Sequence, residues 1–249
     1  VLFSLLHEAA TDADLPSEAL FQAEQHSEID ELLTCRESVD LIIPRGSNAF
    51  VQHIMSRTSI PVMGHADGIC HIYVDKDYDM AKAIPIVIDA KTQYTAACNA
   101  AETLLVHRDI AKDFLPILEK AAGEKNIRLR GTKEAGEIIP LDIIEDDDFR
   151  HEYLDLVLAV KIVSGVEEAV NHINRYGSHH TDAIITENIN TAARFMQLVD
   201  SAGVYQNAST RFADGFRYGF GAEVGIATGK LHALSLIHIS EPTRLQLIS

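Results

Sequence analysis

Residues 102–130 read ETLLVHRDIAKDFLPILEKAAGEKNIRLR, and this stretch decides the fold. Residues 102–106 alternate as a strand does, 110–125 carry apolar side chains at helical spacing, and 127–130 return to a strand pattern. Strand, helix and strand with short connections make a unit whose two strands run parallel. The alternation continues outward. Upstream, the apolar run Val39-Asp40-Leu41-Ile42-Ile43 predicts a buried parallel strand, and residues 49–56 predict a helix. Residues 59–63 and 70–74 predict two more strands, and 79–92 a helix. Downstream, strands are expected at 156–163 and 183–186, with helices at 167–176 and 191–200. Regular strand–helix alternation predicts an α/β fold with a mostly parallel sheet.

The 249 residues are 47% apolar and 23% charged, ordinary values for a globular chain. A net charge of −16 argues against a nucleic-acid binder, which needs a basic surface. No segment approaches the roughly 18 uncharged apolar residues of a membrane span. Cys35, Cys70 and Cys98 are odd in number and far apart, with neither disulfide nor zinc spacing, which suits a reducing, cytoplasmic setting. The histidines form no paired-ligand motif, so no metal site is expected. The acidic run at residues 145–148 reads as a solvated loop.

Four segments carry candidate chemistry. Cys98 lies among small residues, Thr95-Ala96-Ala97-Cys98-Asn99-Ala100, which leave room for an acyl group on a nucleophilic thiol. A cysteine packed as a small hydrophobe fits the same spacing. Pro44-Arg45-Gly46-Ser47 joins a strand to a helix, where free N–H groups suit a phosphate, or where Ser simply caps the helix. Asn207-Ala208-Ser209-Thr210-Arg211 sets an arginine among hydroxyls, suited to gripping a carboxylate or to a polar turn. Gly219, Gly221 and Gly225 lack the dinucleotide spacing and read as a tight-turn loop.

Together these segments resemble the gamma-glutamyl phosphate reductase family of the aldehyde dehydrogenase superfamily, and the matching domain of pyrroline-5-carboxylate synthase. The resemblance rests on DLIIPRGSN (40–48), IPVMGHADGICHIYVD (60–75), DAKTQYTAACNAAETLLVH (89–107), GSHHTDAIIT (177–186) and NASTRFADGFRYGFGAEVGIATGKLHA (207–233). It implies an aldehyde dehydrogenase-like α/β fold with parallel-sheet cofactor and catalytic domains, here N-terminally truncated. Residues 1–67 would be the C-terminal part of an NADP-binding domain and 68–233 the catalytic domain. Residues 234–249 (LSLIHISEPTRLQLIS) read as translated sequencing-adapter sequence, a non-native tail.

The resemblance further implies NADPH-dependent reduction of L-glutamyl 5-phosphate to L-glutamate 5-semialdehyde, the second step of proline biosynthesis. Cys98 would be the nucleophile. Gly46, Ser47 and Glu152 would hold NADPH, and Asn99, Ser209, Thr210, Arg211, Gly221, Ala222 and Glu223 would hold substrate. Implied partners are the acyl phosphate itself, a glutamate 5-kinase, separate or fused, and further copies of the chain in a homo-oligomer. Rival readings are another acyl-phosphate or acyl-CoA reductase or aldehyde dehydrogenase of the superfamily, and a non-catalytic fragment.

Overall fold

The computed structural model describes residues 1–64 and 67–221, the side chains of His26 and Asn48 excepted. Seven strands follow in chain order: β1 (Cys70–Val74), β2 (Ala101–His107), β3 (Arg128–Gly131), β4 (Asp142–Ile143), β5 (Val157–Val163), β6 (Thr181–Ile185) and β7 (Gly203–Gln206). They form one sheet in the order β4-β3-β5-β2-β1-β6-β7, and every pairing is parallel. The helices are α1 (Leu2–Asp12), α2 (His26–Leu32), α3 (Asn48–Arg57), α4 (Met80–Thr92), α5 (Ala111–Glu124), α6 (Lys133–Gly136), α7 (Val166–Tyr176) and α8 (Ile189–Leu198).

Strand period 2 splits the core into two layers. Ile72, Val74, Leu104 and Val106 face one side and pack with Ala83 and Val87 of α4 and Phe114 and Leu118 of α5. Tyr73, Leu105 and Ile184 face the other side, against Val170 and Ile173 of α7 and Phe195 of α8. Helices on both faces leave the central strands no solvated side. β1, β2 and β6 are therefore buried at every position, including the polar Glu102 and Thr103.

Two expected strands are absent as such. Residues 39–43 and 59–63 meet through a single parallel bridge, Ile42 to Val62, and 39–43 is only partly buried. Ile42 N–H donates to the Pro61 carbonyl at 2.9 Å, and Met63 N–H to the Ile42 carbonyl at 2.8 Å. Pro61 inside one segment and Pro44 at the end of the other have no N–H to donate, which limits the ladder to that bridge. β4 and β7, short and with mixed polarity, lie outside the strands expected from periodicity. The acidic run at 145–148 opens a 3-10 turn, Asp146–Arg150.

Candidate active site

The loop of Cys98 connects α4 to β2. Around it gather three other strand-start segments: Gly68 just before β1, Glu152 ahead of β5, and His180 immediately before β6. Because the strands are parallel, these loops share the amino-terminal edge of the sheet. Open α/β sheets ordinarily bind ligands at the opposite, carboxyl edge.

Close backbone packing sets the position of Cys98. A β-carbon on Gly68 would lie 2.3 Å from the Cys98 carbonyl oxygen and 2.5 Å from its Cα, so only glycine fits. The Gly68 N–H donates to Glu152 Oε1 at 2.9 Å. Burial raises the Glu152 carboxyl above its ordinary pKa, with the Gly68 N–H pulling the other way. The Cys98 side chain is partly exposed, and its Sγ lies 3.2 Å from His180 Nε2. On its other nitrogen, His180 Nδ1 is 2.8 Å from Thr181 Oγ1.

The other thiols lack these features. Cys70 is fully buried, donates to the Cys98 carbonyl at 3.4 Å, and is pushed well above the ordinary thiol pKa by burial and by Asp182. Cys35, beyond the end of α2, donates to the Glu31 carbonyl at 3.4 Å. Of the two readings of Cys98, packed hydrophobe and accessible thiol, its exposure and histidine neighbour favour the second.

A buried ion pair straps the ends of the Cys98 loop. Lys91, in the last turn of α4, lies 2.7 Å from Glu102 at the start of β2, and both side chains are almost wholly buried. Burial outweighs mutual attraction for each: Glu102 is pushed up to about 7 and Lys91 down. Removing one member would leave its partner uncompensated. Glu102→Gln or Lys91→Met should therefore cost about 3–5 kcal/mol in denaturant unfolding, while the double variant Lys91→Met with Glu102→Leu should recover much of the loss. Equal midpoints for the single variants and the parent chain would count against this role.

The chain leaving β7 returns to the Cys98 loop, where Asn99 Nδ2 donates to the Ala213 carbonyl at 2.7 Å. That contact docks the turn containing Ser209, Thr210 and Arg211, in which the Ser209 hydroxyl accepts from Arg211 N–H at 3.3 Å. Asn99 Oδ1, Thr210 Oγ1 and Arg211 Nε are buried and have no hydrogen-bond partner among the described residues. Buried polar atoms are nearly always paired, so these three, on the Cys98 loop and on the turn docked to it, are available to a polar partner. Gly221 adopts φ +86°, the left-handed region that glycine tolerates. Ala222, Glu223 and the 234–249 tail lie outside the described residues.

Gly46 and Ser47 open α3 in the N-terminal segment. Both are exposed, and the Ser47 hydroxyl accepts from Phe50 N–H at 3.3 Å, a helix cap. His180 is the residue that pattern reading passed over. It lies within the GSHHTDAIIT segment, but nothing in local spacing ties it to a cysteine 82 residues away.

Comparison with known proteins gives a consistent result. Gamma-glutamyl phosphate reductase of Acetivibrio thermocellus is 54% identical over 233 residues, covering 94% of this chain and 54% of that protein. Gamma-glutamyl phosphate reductase 1 of Synechocystis sp. is 56% identical over 231 residues, covering 93% and 53%. The chain thus spans about half the length of these curated relatives. The crystal structure of gamma-glutamyl phosphate reductase from Thermotoga maritima matches with a TM-score of 0.89 at 40% identity, over 94% of this chain and 57% of that one. Residues 1–140 match the model of the aldehyde dehydrogenase family. With its parallel sheet and that match over more than half its length, the chain belongs to the aldehyde dehydrogenase family.

Proposed function

We propose that this chain carries the catalytic cysteine of an NADPH-dependent reductase that converts L-glutamyl 5-phosphate to L-glutamate 5-semialdehyde and phosphate. One observation carries the reading: the sulfur of the partly exposed Cys98 meets an imidazole, and the next residue, Asn99, docks the turn that holds the unpaired Thr210 Oγ1 and Arg211 Nε. The Cys98 sulfur attacks the γ-carbonyl carbon, the carbon–oxygen bond to phosphate breaks, and a thioester remains on Cys98. Arg211, Thr210 and Ser209 hold the amino-acid end, with Asn99 fixing their turn beside the sulfur. Gly221, with Ala222 and Glu223, belongs to the companion substrate loop. After reduction, the thiohemiacetal on Cys98 collapses and releases the aldehyde.

The residues available fit a nicotinamide dinucleotide. The exposed start of α3 has first-turn N–H groups beyond the one that Ser47 satisfies, and these suit a pyrophosphate next to Gly46. Glu152, anchored by Gly68 beside the Cys98 loop, would hold the ribose on the nicotinamide side. NADPH, when bound, supplies the hydride.

On this reading residues 1–67 complete a cofactor domain and 68–233 form the catalytic domain. The reading also carries a glutamate 5-kinase as the source of acyl phosphate, a homo-oligomer as the working assembly and a cytoplasmic setting. Among the described residues no helix is long and apolar enough to cross a membrane.

The test is acyl transfer to the protein, read by intact mass and peptide mapping after exposure to γ-glutamyl phosphate, acetyl phosphate or acetyl-CoA. Cys98 should gain the glutamyl group fastest, the acetyl group from acetyl phosphate more slowly, and nothing from acetyl-CoA. Preferential labelling by acetyl-CoA would move the assignment to an acyl-CoA reductase. No label on Cys98 from any donor would end the catalytic reading.

A further inference from the structure

The placement of His180 assigns it a chemical task. His180 is 2% exposed, and both ring nitrogens are engaged: Nε2 with Cys98 Sγ at 3.2 Å, Nδ1 with Thr181 Oγ1 at 2.8 Å. The backbone around it is held on two sides. Gly203 N–H donates to the His180 carbonyl at 3.0 Å, and Ser178 is bonded in both directions to Ile69, through Ser178 N–H to the Ile69 carbonyl at 3.2 Å and Ile69 N–H to Ser178 Oγ at 2.9 Å. The ring is therefore aimed at the sulfur by β6, β7 and the start of β1 together.

Other buried histidines are committed elsewhere. His71 is locked to Asp182 at 3.0 Å, and burial holds His172 neutral, with its pKa lowered to about 2. Thr181 can accept from Nδ1–H, an arrangement that leaves the Nε2 lone pair toward the sulfur and still serves when the ring is doubly protonated.

We infer that His180 is a catalytic proton carrier for Cys98, an inference that rests on the acyl-phosphate reading above. Nε2 takes the proton of the Cys98 thiol, leaving a thiolate beside an imidazolium. The sulfur–carbon bond forms as the carbon–oxygen bond breaks, and the phosphate oxygen departs with that electron pair. The proton on Nε2 passes to this oxygen, so that phosphate leaves as hydrogen phosphate and His180 returns to the neutral form. One proton thus leaves the protein, passing from the Cys98 sulfur through His180 to the departing phosphate, and His180 ends as it began.

The test uses the full chain at neutral pH. The rate of Cys98 alkylation by iodoacetamide is followed by peptide mapping, with acylation by γ-glutamyl phosphate measured in parallel. His180→Ala should slow alkylation by about 10²-fold, the lower end of what a positioned base contributes, and added imidazole should restore part of the rate. His180→Gln keeps a side chain of similar reach without a titrating nitrogen and should stay slow. Thr181→Val, which removes only the hydroxyl that orients the ring, should fall between these and the parent.

Circular dichroism of each variant separates chemistry from misfolding, and His180→Gln and Thr181→Val decide the matter if His180→Ala does not fold. Parent-like alkylation in folded His180→Gln, or equal acylation of parent and His180→Gln, would overturn the inference while leaving Cys98 as nucleophile. If alkylation depends on His180 but acyl phosphate never labels the parent chain, the proton role stands and the substrate reading falls.

Discussion

Cys98→Ala should abolish acylation by γ-glutamyl phosphate and, in the reducing enzyme, lower turnover on the order of 10⁶-fold, the scale on which loss of a nucleophile acts. The fold should persist, because a partly exposed side chain in a loop contributes little to the core. Cys70→Ala and Cys35→Ala should both keep acylation. Cys70 is fully buried with its thiol held protonated, and Cys35 lies at a helix end, bonded to its own backbone turn. Cys70→Ala should cost some stability through the small cavity it leaves. Mass mapping of each variant after one round of acylation reads the result directly. A folded Cys70→Ala or Cys35→Ala protein that no longer acylates would remove Cys98 from its place as sole nucleophile.

The second large effect is expected at a residue with no side chain. In Gly68→Ala the new β-carbon would meet Cys98 backbone atoms at 2.3–2.7 Å, far inside contact distance. Backbone cannot swing aside as a flexible side chain does, so the Cys98 loop or the start of β1 must shift by about 1 Å. Displacement on that scale costs about 10²-fold in a reaction that depends on aligned atoms. The overpacking itself should cost about 1–3 kcal/mol. Gly68→Ala should therefore lose acylation rate while remaining folded at room temperature, and its Cys98 should lose the reactivity that His180 confers. Stopped-flow acylation together with urea unfolding separates the two effects. A Gly68→Ala protein with the parent's rate would show that the Cys98 backbone is not held by this contact. Gly123 makes a suitable control, since a β-carbon there meets nothing within 4 Å.

Both effects follow from where the loops meet. The alternation of residues 102–130 was enough to specify a parallel α/β sheet, because periods of 2 and 3.6 are local properties of the chain. The helices came out within a few residues of expectation: 79–92 became Met80–Thr92 with Asp79 as its cap, and 110–125 became Ala111–Glu124. Cys98 was legible as a candidate for an equally local reason, its small neighbours. Periodicity overreached at 39–43, where an apolar run bounded by Pro44 met only a proline-bearing neighbour and formed one bridge. Nor does periodicity show that Glu102 in β2 is buried against Lys91.

By itself the sequence determined the α/β class, most of the helices, and a cysteine with room to react. Only the tertiary structure decided what stands beside that cysteine. The order β5-β2-β1-β6 makes neighbours of four strand starts that are distant in the chain. It thereby brings His180 across 82 residues to Cys98, Glu152 across 84 to Gly68, and Ala213 across 114 to Asn99. Strand order depends on which buried edges pair across the whole chain, and that choice leaves no periodic trace in any window of residues. The chemistry of Cys98 depends on those non-local pairings, while the strands and helices that make them possible were written locally.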